Sequence, residues 1–272
     1  MRRLSLLLLC APLFTGCQTP TQRALVFAHA HGLRSSIERG QDFRHQVFEV
    51  DTPARAQLLV LIEGDGTPWE VNGTQVASDP TPRRPLMLRI LARTRMSALY
   101  VGRPCYFETR KDPGCAPRLW TSARYSAEVV ASLAAVINAQ VERGGFERVI
   151  LAGHSGGGTL AVLVAPRVSR AVAVVTLSAD LDTTAWTRLH GFAPLDQSLN
   201  PSDLPPLPPR IAEWHAVGDR DRNVPPAVNA RYFQRLPPGH VLHFPKADHA
   251  CCWEKEWPAI LQRAEEVVPG KD

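Results

Sequence analysis

The sequence of 272 residues lacks internal repeats, low-complexity tracts and a cluster of basic residues. Its 31 basic residues are scattered among 26 acidic ones, so the basic stripe of a nucleic-acid-binding protein is missing. Paired Cys-x-x-Cys units are also missing, which argues against a structural zinc site. What remains is ordinary for a globular protein: 44% of the residues are hydrophobic, and the length suits one large α/β domain or two small ones.

The N-terminal segment contains an apolar stretch that is too short to remain as a membrane-spanning helix. The stretch MRRLSLLLLCAPLFTGC has a basic start, an apolar middle and small residues before Cys17, the order typical of a secretory signal. No A-x-A-type cleavage site is present, and LFTGC resembles the bacterial lipobox, with Phe14 where Leu, Val or Ile is usual. This predicts a signal peptide over 1–16, lipidation of Cys17 and export to the cell envelope.

An ordinary secreted protein, cleaved nearby, is the alternative interpretation of this segment. The residue after Cys17 is Gln18 and not Asp. In this respect the segment resembles lipoproteins that Gram-negative bacteria place in the outer membrane, facing the periplasm. We therefore expect a lead-in segment over 17–35 and a folded domain over 36–272.

Export places the domain in an oxidising compartment, where cysteines commonly form disulfides. Cys105 and Cys115 flank the turn-rich loop YFETRKDPG, and we expect them to be paired. Cys251 and Cys252 are adjacent, so they form either a vicinal bridge or a pair of reduced, buried thiols.

Two histidines, His29 and His31 in AHAHG, have the appearance of a metal-binding pair. No further ligand lies nearby, so we interpret them as structural residues at a helix end. No metal site is expected.

Strand-like and helix-like segments alternate from residue 57 onwards, which is typical of a parallel sheet with helices on both faces. The predicted strands cover 57–63, 98–104, 148–154, 171–179, 212–218 and 240–245. The predicted helices cover 83–95, 122–145, 157–168, 225–236 and 254–268. The earlier stretches RSSIERG and FRHQVFEVD predict an antiparallel hairpin at one edge.

The stretch RVILAGHSGGGTL places a serine between a buried strand and a helix. A turn this sharp imposes strained backbone angles on Ser155, and Gly153 and Gly157 remove the side chains that would collide across it. This is the G-x-S-x-G pattern of a nucleophile elbow. A phosphate-binding loop is the alternative, but neither a G-K-[ST] ending nor G-x-G-x-x-G spacing is present.

Two further loops supply the partners that a serine nucleophile needs. GDRDRNVPP follows the strand over 212–218, and KADHACCW follows the strand over 240–245. We predict that His249 is the base and Asp221 its orienting acid, because ligands gather at the carboxyl ends of parallel strands. Asp219 competes for the acid role, but Asp221 fits the register of G-x-x-D-x-x-V-P.

With these residues the chain resembles the α/β-hydrolases, in particular exported bacterial hydrolases. The resemblance rests on LIEGDGTPW, RPCYF, GHSGGG, LDTTAWTRLHGFAPLDQSLNP, GDRDRNVPP and DHACCW. It implies an α/β-hydrolase fold with a small cap insertion over 180–210. It also implies an oxyanion hole built from the amides of Gly156 and Asp65, with Glu63 replacing the histidine of the superfamily's H-G motif. The Asp65 carboxylate should point away or be paired.

Aromatic residues near these loops have two interpretations. Trp186, His190 and Phe192 in the cap line a substrate pocket or hold the proline-rich loop together. Trp69 and Trp253 either line the pocket or pack in the core. His190 is an alternative base, disfavoured because it precedes Asp221 in the chain.

The sequence therefore predicts a lipid-anchored serine hydrolase of the carboxylesterase or lipase type, acting on a small-molecule ester through an acyl-enzyme. No metal or organic cofactor and no nucleic acid is expected, and the membrane is contacted through the N-terminal anchor. Amide hydrolysis, acyl transfer by the same triad, and a non-catalytic envelope scaffold with a retained hydrolase fold are the alternatives.

Overall fold

A computed structural model describes residues 18–71 and 73–266. The predicted signal peptide over 1–16 and the predicted lipidation of Cys17 lie outside these residues. In the part of the chain that is described, no helix combines the length and the apolar character needed to cross a membrane.

An eight-stranded, mostly parallel sheet forms the centre of the molecule. The strands are β1 Arg34–Arg39, β2 Arg44–Val50, β3 Gln57–Ile62, β4 Trp69–Glu70, β5 Gln75–Val76, β6 Ala98–Val101, β7 Arg148–His154, β8 Ala171–Leu177, β9 Ala212–Gly218 and β10 Val241–Phe244. The order across the sheet is β1-β2-β6-β3-β7-β8-β9-β10, and β4 pairs with β5 as a separate ribbon. The edge strands β1 and β2 are antiparallel, and the remaining pairs from β6 onwards are parallel.

Helices cover the sheet and bury its aliphatic strands. They are α1 Pro20–Ala30, α2 Leu86–Leu91, α3 Ala127–Gly144, α4 Gly156–Val164, α5 Thr183–His190, α6 Ala230–Phe233 and α7 Trp253–Glu266. The middle strands β3, β7 and β8 are runs of Leu, Val, Ile and Ala that are buried almost throughout. Such continuous apolar runs are characteristic of strands covered on both faces. The predicted fold, including the antiparallel edge hairpin, is confirmed.

Some helices differ from the sequence-based prediction. The predicted helix over 83–95 is shorter, because Pro85 supplies its N-cap and the last turn opens after Leu91. The predicted helix over 225–236 is a 3₁₀ turn followed by the single turn of α6. Prolines at its start remove backbone donors, which accounts for the irregular beginning.

The lead-in segment contains α1, which has a regular N-terminal cap. Thr19 accepts a hydrogen bond from the Gln22 amide, and the Gln22 side chain accepts one from the Thr19 amide. Ala24 and Ala28 are buried, so α1 packs onto the rest of the fold. His29 lies exposed in the last turn, and His31 Nδ1 bonds to the Phe27 carbonyl at 2.9 Å.

Both cysteine pairs are disulfide-bonded. The predicted Cys105–Cys115 bridge is confirmed, with the two Cα atoms 5.5 Å apart. Cys251 and Cys252 form a vicinal bridge, which resolves the alternative left open by the sequence. Among the residues described here, no group of three or more His, Cys, Asp or Glu side chains is placed to hold a metal ion.

Candidate active site

The turn between β7 and α4 holds Ser155 in an unusual backbone conformation, with φ 52° and ψ −131°. The turn is possible because its neighbours have no side chains. A Cβ atom on Gly153 would lie 2.1 Å from the Gly157 carbonyl oxygen, and one on Gly157 would lie 2.2 Å from the Ile62 carbonyl oxygen. Strain of this kind is retained where it exposes a functional group, here the serine hydroxyl at the carboxyl end of the sheet.

A line of hydrogen bonds connects Ser155, His249 and Asp221. The His249 Nδ1 atom lies 2.8 Å from Asp221 Oδ2, and its Nε2 atom lies 3.0 Å from Ser155 Oγ. Because an ionised carboxylate only accepts hydrogen bonds, Nδ1 carries the proton and Nε2 presents its lone pair to the serine. The three side chains predicted from the sequence are therefore brought together in the order that proton transfer requires.

The environment of Asp221 keeps its carboxylate ionised. Burial alone would raise the pKa of Asp221, but the hydrogen bond and the charge interaction with His249 outweigh it and lower that pKa. The backbone N–H groups of Asn223 and Val224 both donate to its Oδ1 atom at 2.8 Å. Asp219 points elsewhere and bonds to His243 Nδ1 at 2.8 Å.

The loop that carries His249 is held by two ring donors. His154 Nε2 donates to the His249 carbonyl oxygen at 2.7 Å, and Trp253 Nε1 donates to the same oxygen at 3.3 Å. Burial and the neighbouring His249 lower the pKa of His154 to about 4, so its ring is neutral at ordinary pH. Trp253 is fully buried, which assigns it to the core beneath this loop.

Asn223 connects the acid loop to the cap. Its Nδ2 atom lies 2.9 Å from His249 Nε2, beside the serine hydroxyl. Its backbone carbonyl accepts hydrogen bonds from Trp186 Nε1 at 3.0 Å and from His190 Nε2 at 2.7 Å. His190 therefore fastens the cap helix α5 to the acid loop, and it is not the hydrogen-bond partner of Ser155.

The predicted oxyanion-hole amides lie on segments that pack against each other. A Cβ atom on Gly64 would lie 3.4 Å from the Ser155 Cβ, and one on Gly156 would lie 2.0 Å from Asp65 Oδ1. Neither the Asp65 amide nor the Gly156 amide donates to another protein group within the described residues. Both amides are thus without a protein acceptor in the part of the chain that is described, and their role as an oxyanion hole stays a prediction.

The Asp65 carboxylate is paired, as an oxyanion hole at its own amide requires. Arg103 Nη1 lies 2.7 Å from Oδ1, Arg124 Nη1 lies 2.6 Å from Oδ2, and the Tyr125 hydroxyl donates at 2.9 Å. Burial would raise the pKa of Asp65, but the charges of Arg124 and Arg103 outweigh it and lower that pKa to about 2. Two cations therefore balance this carboxylate, and its charge does not oppose an oxyanion.

Two other buried carboxyl groups lie along the same cavity wall. Glu63 accepts a hydrogen bond from the Met87 amide at 2.9 Å, and burial raises its pKa to about 7. Asp180 accepts a hydrogen bond from Thr159 Oγ1 at 2.7 Å; burial and the charge of Asp65 raise its pKa to about 6. Glu63 thus connects the loop that follows β3 to the start of α2. The residue that replaces the histidine of the H-G motif therefore has a structural role.

A cavity of about 1170 Å³ opens above Ser155. Its wall includes Trp69 from the β4–β5 ribbon, and Trp186 and Phe192 from the cap. The volume is that of a site for a small or medium-sized organic molecule. His190 does not line it, and its role in the structure is the contact with Asn223 described above.

No protein-family model matches the sequence, and neither does the sequence of any curated protein. Solved structures do match the fold. A bacterial membrane phospholipase A is 17% identical, with a TM-score of 0.56 over 91% of this chain and 93% of that one. A candidate lipase from Acinetobacter baumannii AYE is 14% identical, with a TM-score of 0.59 over 94% and 98%. A proline iminopeptidase-related protein from Thermus thermophilus is 17% identical, with a TM-score of 0.55 over 86% and 97%.

The chain has the α/β-hydrolase fold. Within this fold, the carboxyl ends of β7, β9 and β10 lead into the loops of Ser155, Asp221 and His249. The strands β7 to β10 are consecutive neighbours, which is why loops far apart in sequence meet at one place.

Sequence reasoning missed several residues around the candidate active site. Arg103, Arg124 and Tyr125 were not singled out, although they surround the Asp65 carboxylate. Arg103 directly follows the strand-like run ALYVG, and a position at a strand end was a usable signal. Asn223 lies inside the quoted loop GDRDRNVPP, but nothing in that pattern distinguishes it from its neighbours.

Proposed function

We propose that this protein is a serine hydrolase that cleaves carboxylic esters. The observation that carries the proposal is the uninterrupted hydrogen-bond line from Ser155 through His249 to Asp221, ending at a strained serine beneath a cavity. The comparisons add support of a general kind, because a lipase and a phospholipase are among the structures that share the fold.

In the first half of the proposed reaction, Ser155 Oγ attacks the carbonyl carbon of the ester. Its proton passes to His249 Nε2, which lies 3.0 Å away. The carbonyl oxygen becomes negative and is bound by the amides of Asp65 and Gly156. Asp221 fixes the ring orientation and stabilises the imidazolium that forms.

Collapse of this intermediate breaks the bond between the carbonyl carbon and the alkoxide oxygen. The imidazolium of His249 gives its proton to the departing alkoxide, and the acyl group stays on Ser155. Water then repeats the attack, with His249 as base, and the carboxylic acid leaves as the enzyme returns to its starting state.

A fluorophosphonate probe tests the nucleophile directly. We expect the wild-type protein to be labelled covalently and Ser155→Ala to remain unlabelled, while Ser169→Ala, at an exposed serine, is labelled like wild type. The measurement is in-gel fluorescence together with mass mapping of the labelled peptide. Correctly folded wild-type protein that takes up no label would contradict the proposal and favour a non-catalytic binding protein.

We also propose that the chain is exported, cleaved before Cys17 and anchored by a lipid on that cysteine. Cys17→Ala is expected to abolish lipidation and to leave unprocessed or soluble protein. Cys10→Ala changes the other cysteine of the same segment and should be processed normally. Radiolabelled fatty-acid incorporation and membrane fractionation measure both variants. Membrane partition and processing of Cys17→Ala like wild type would contradict the anchor.

A further inference from the structure

Exposed apolar side chains collect at the opening of the cavity. Of the eight large hydrophobic residues that are exposed in the described part of the chain, five lie on two segments that flank this opening. They are Trp69, Val71 and Val76 on the β4–β5 ribbon, and Leu189 and Phe192 at the end of the cap helix α5. We call this set the mouth surface. Apolar side chains gathered in this way mark a binding surface, whereas single exposed ones do not.

The two halves of the mouth surface are separate in the chain, and each contributes a side chain to the cavity wall. Trp69 and Phe192 both line it, one from each half. Trp69 is paired directly across the ribbon with Val76, so these two side chains project from the same face. Phe192 rests against Trp186, with ring centroids 5.3 Å apart, and this packing fixes an exposed ring at the rim.

Arginines without partners accompany the apolar residues. Arg83 and Arg84 line the same opening and are exposed, and Arg188 is exposed on α5 next to Leu189. In the described part of the chain, none of their guanidinium groups forms a hydrogen bond or an ion pair with the protein. Glu70 is the acidic residue of the β4–β5 ribbon, so the three arginines give the surroundings of the mouth surface an excess of positive charge. A surface with apolar and unpaired basic side chains matches a bilayer that carries anionic headgroups.

The start of α1 lies beside this same opening. Thr21 donates from its amide to Asp79 at 3.1 Å, and its hydroxyl lies 3.0 Å from the Thr81 hydroxyl. Residues 82–84, which follow directly, belong to the cavity wall. The proposed lipid on Cys17 would therefore be tethered within about 14 Å of extended chain from Thr21. An anchor at this place would bring the bilayer close to the mouth surface.

We propose that the mouth surface docks onto an anionic lipid bilayer, so that the cavity opens toward the membrane. The apolar side chains enter the interfacial layer and the arginines bind lipid phosphates. This docking goes beyond the proposed hydrolysis and does not depend on it, whereas the tether near Thr21 rests on the proposed lipid at Cys17.

Contact of Trp69 with acyl chains is the direct test. Full-length protein is bound to phosphatidylcholine–phosphatidylglycerol vesicles whose acyl chains are brominated, since bromine quenches tryptophan fluorescence only at short range. Trp69 is 41% exposed and is the only exposed tryptophan of the six in the chain, all of which are described. We expect quenching in wild type and its near-complete loss in Trp69→Phe. Equal quenching of the two proteins would overturn the proposal.

Single substitutions on and beside the mouth surface test the docking itself. Val71→Asp and Leu189→Asp are each expected to lower the docking equilibrium about tenfold, as read from the quenching of Trp69. Arg84→Gln should lower it about fivefold on anionic vesicles and leave it unchanged on pure phosphatidylcholine. Ile37→Asp, at an exposed apolar residue of the edge strand β1, is the matched control and should dock like wild type.

Further measurements distinguish membrane docking from hydrolysis and from dimer formation. Ser155→Ala should dock normally, so a failure of hydrolysis and a failure of docking are distinguishable. Loss of docking in Ile37→Asp equal to that in Val71→Asp would overturn the proposal. So would a wild-type dimer in vesicle-free solution that Val71→Asp disperses, because the mouth surface would then be an interface between two copies.

Discussion

Ser155→Ala is expected to lower kcat by on the order of 10⁶, the loss seen when the nucleophile of a serine protease is removed. Within the described residues, Ser155 Oγ is the only hydroxyl that bonds to His249 Nε2. Its loss leaves the base with no nucleophile to activate except water, while the proposed oxyanion-hole amides of Asp65 and Gly156 are unchanged. A residual rate above the uncatalysed reaction is therefore expected, and KM should change little.

Stopped-time hydrolysis of chromogenic esters from short to long acyl chains measures this loss, and the series also defines the acyl length that the cavity accepts. Circular dichroism and thermal unfolding serve as the folding control. The variant should unfold like wild type, because the Ser155 side chain forms one hydrogen bond, and the loss of one such bond changes the free energy of unfolding little. A loss below about tenfold would show that ester hydrolysis proceeds without an acyl-enzyme on Ser155.

The sequence was sufficient for the sheet and for the placement of the three triad candidates. Aliphatic runs such as β3 and β7 are short and bounded by turn residues, which favours strands of a buried sheet, and the carboxyl ends of parallel strands meet at one edge. Ser155 could be identified because glycines on both sides mark a sharp strand–helix turn and because the spacing of a phosphate-binding loop is absent. Asp221 could be ranked above Asp219 from the register of the following NVPP.

The surroundings of Asp65 could not be predicted from the sequence. Its partners Arg103 and Arg124 are separated from it by 38 and 59 residues, and each is an ordinary basic residue in its own local context. Only the fold brings both guanidinium groups to one carboxylate. The sequence could require that the charge be balanced, but it could not say by which residues.

In the cap, too, part of the structure could not be predicted from the sequence, namely a helix. Residues 180–210 were expected to form an insertion, and α5 within it was not predicted. This helix begins at Asp182, whose side chain accepts from the Ala185 amide at 3.1 Å, and it ends at Gly191 with φ 64°. Both signals are present in the sequence, but the contacts of Trp186 and His190 with the Asn223 carbonyl depend on tertiary structure.

The two aspartates of GDRDRNVPP provide a test within a single loop. Asp221 is buried and bonds to His249, whereas Asp219 is exposed and bonds to His243. Their backbone amides are also bonded differently, to the carbonyls of Gly218 and Phe244. An Asp→Asn substitution removes one negative charge from this loop at either position. At Asp221 it alters the contact with His249, and at Asp219 it leaves that contact in place.

Asp221→Asn is expected to lower kcat by on the order of 10³–10⁴ with little change in fold. The amide presents Nδ2 or Oδ1 to His249 Nδ1, and donation from Nδ2 would hold the ring in the tautomer whose Nε2 carries the proton and cannot accept one from Ser155. The charge that stabilises the imidazolium is lost as well. Asp219→Asn should reduce kcat less than about fivefold, because the Asp219 side chain bonds to His243 and not to His249. Steady-state kinetics on one ester decide between them. The reverse order of the two losses would make Asp219 the acid of the triad and would show that the loop rearranges when substrate binds.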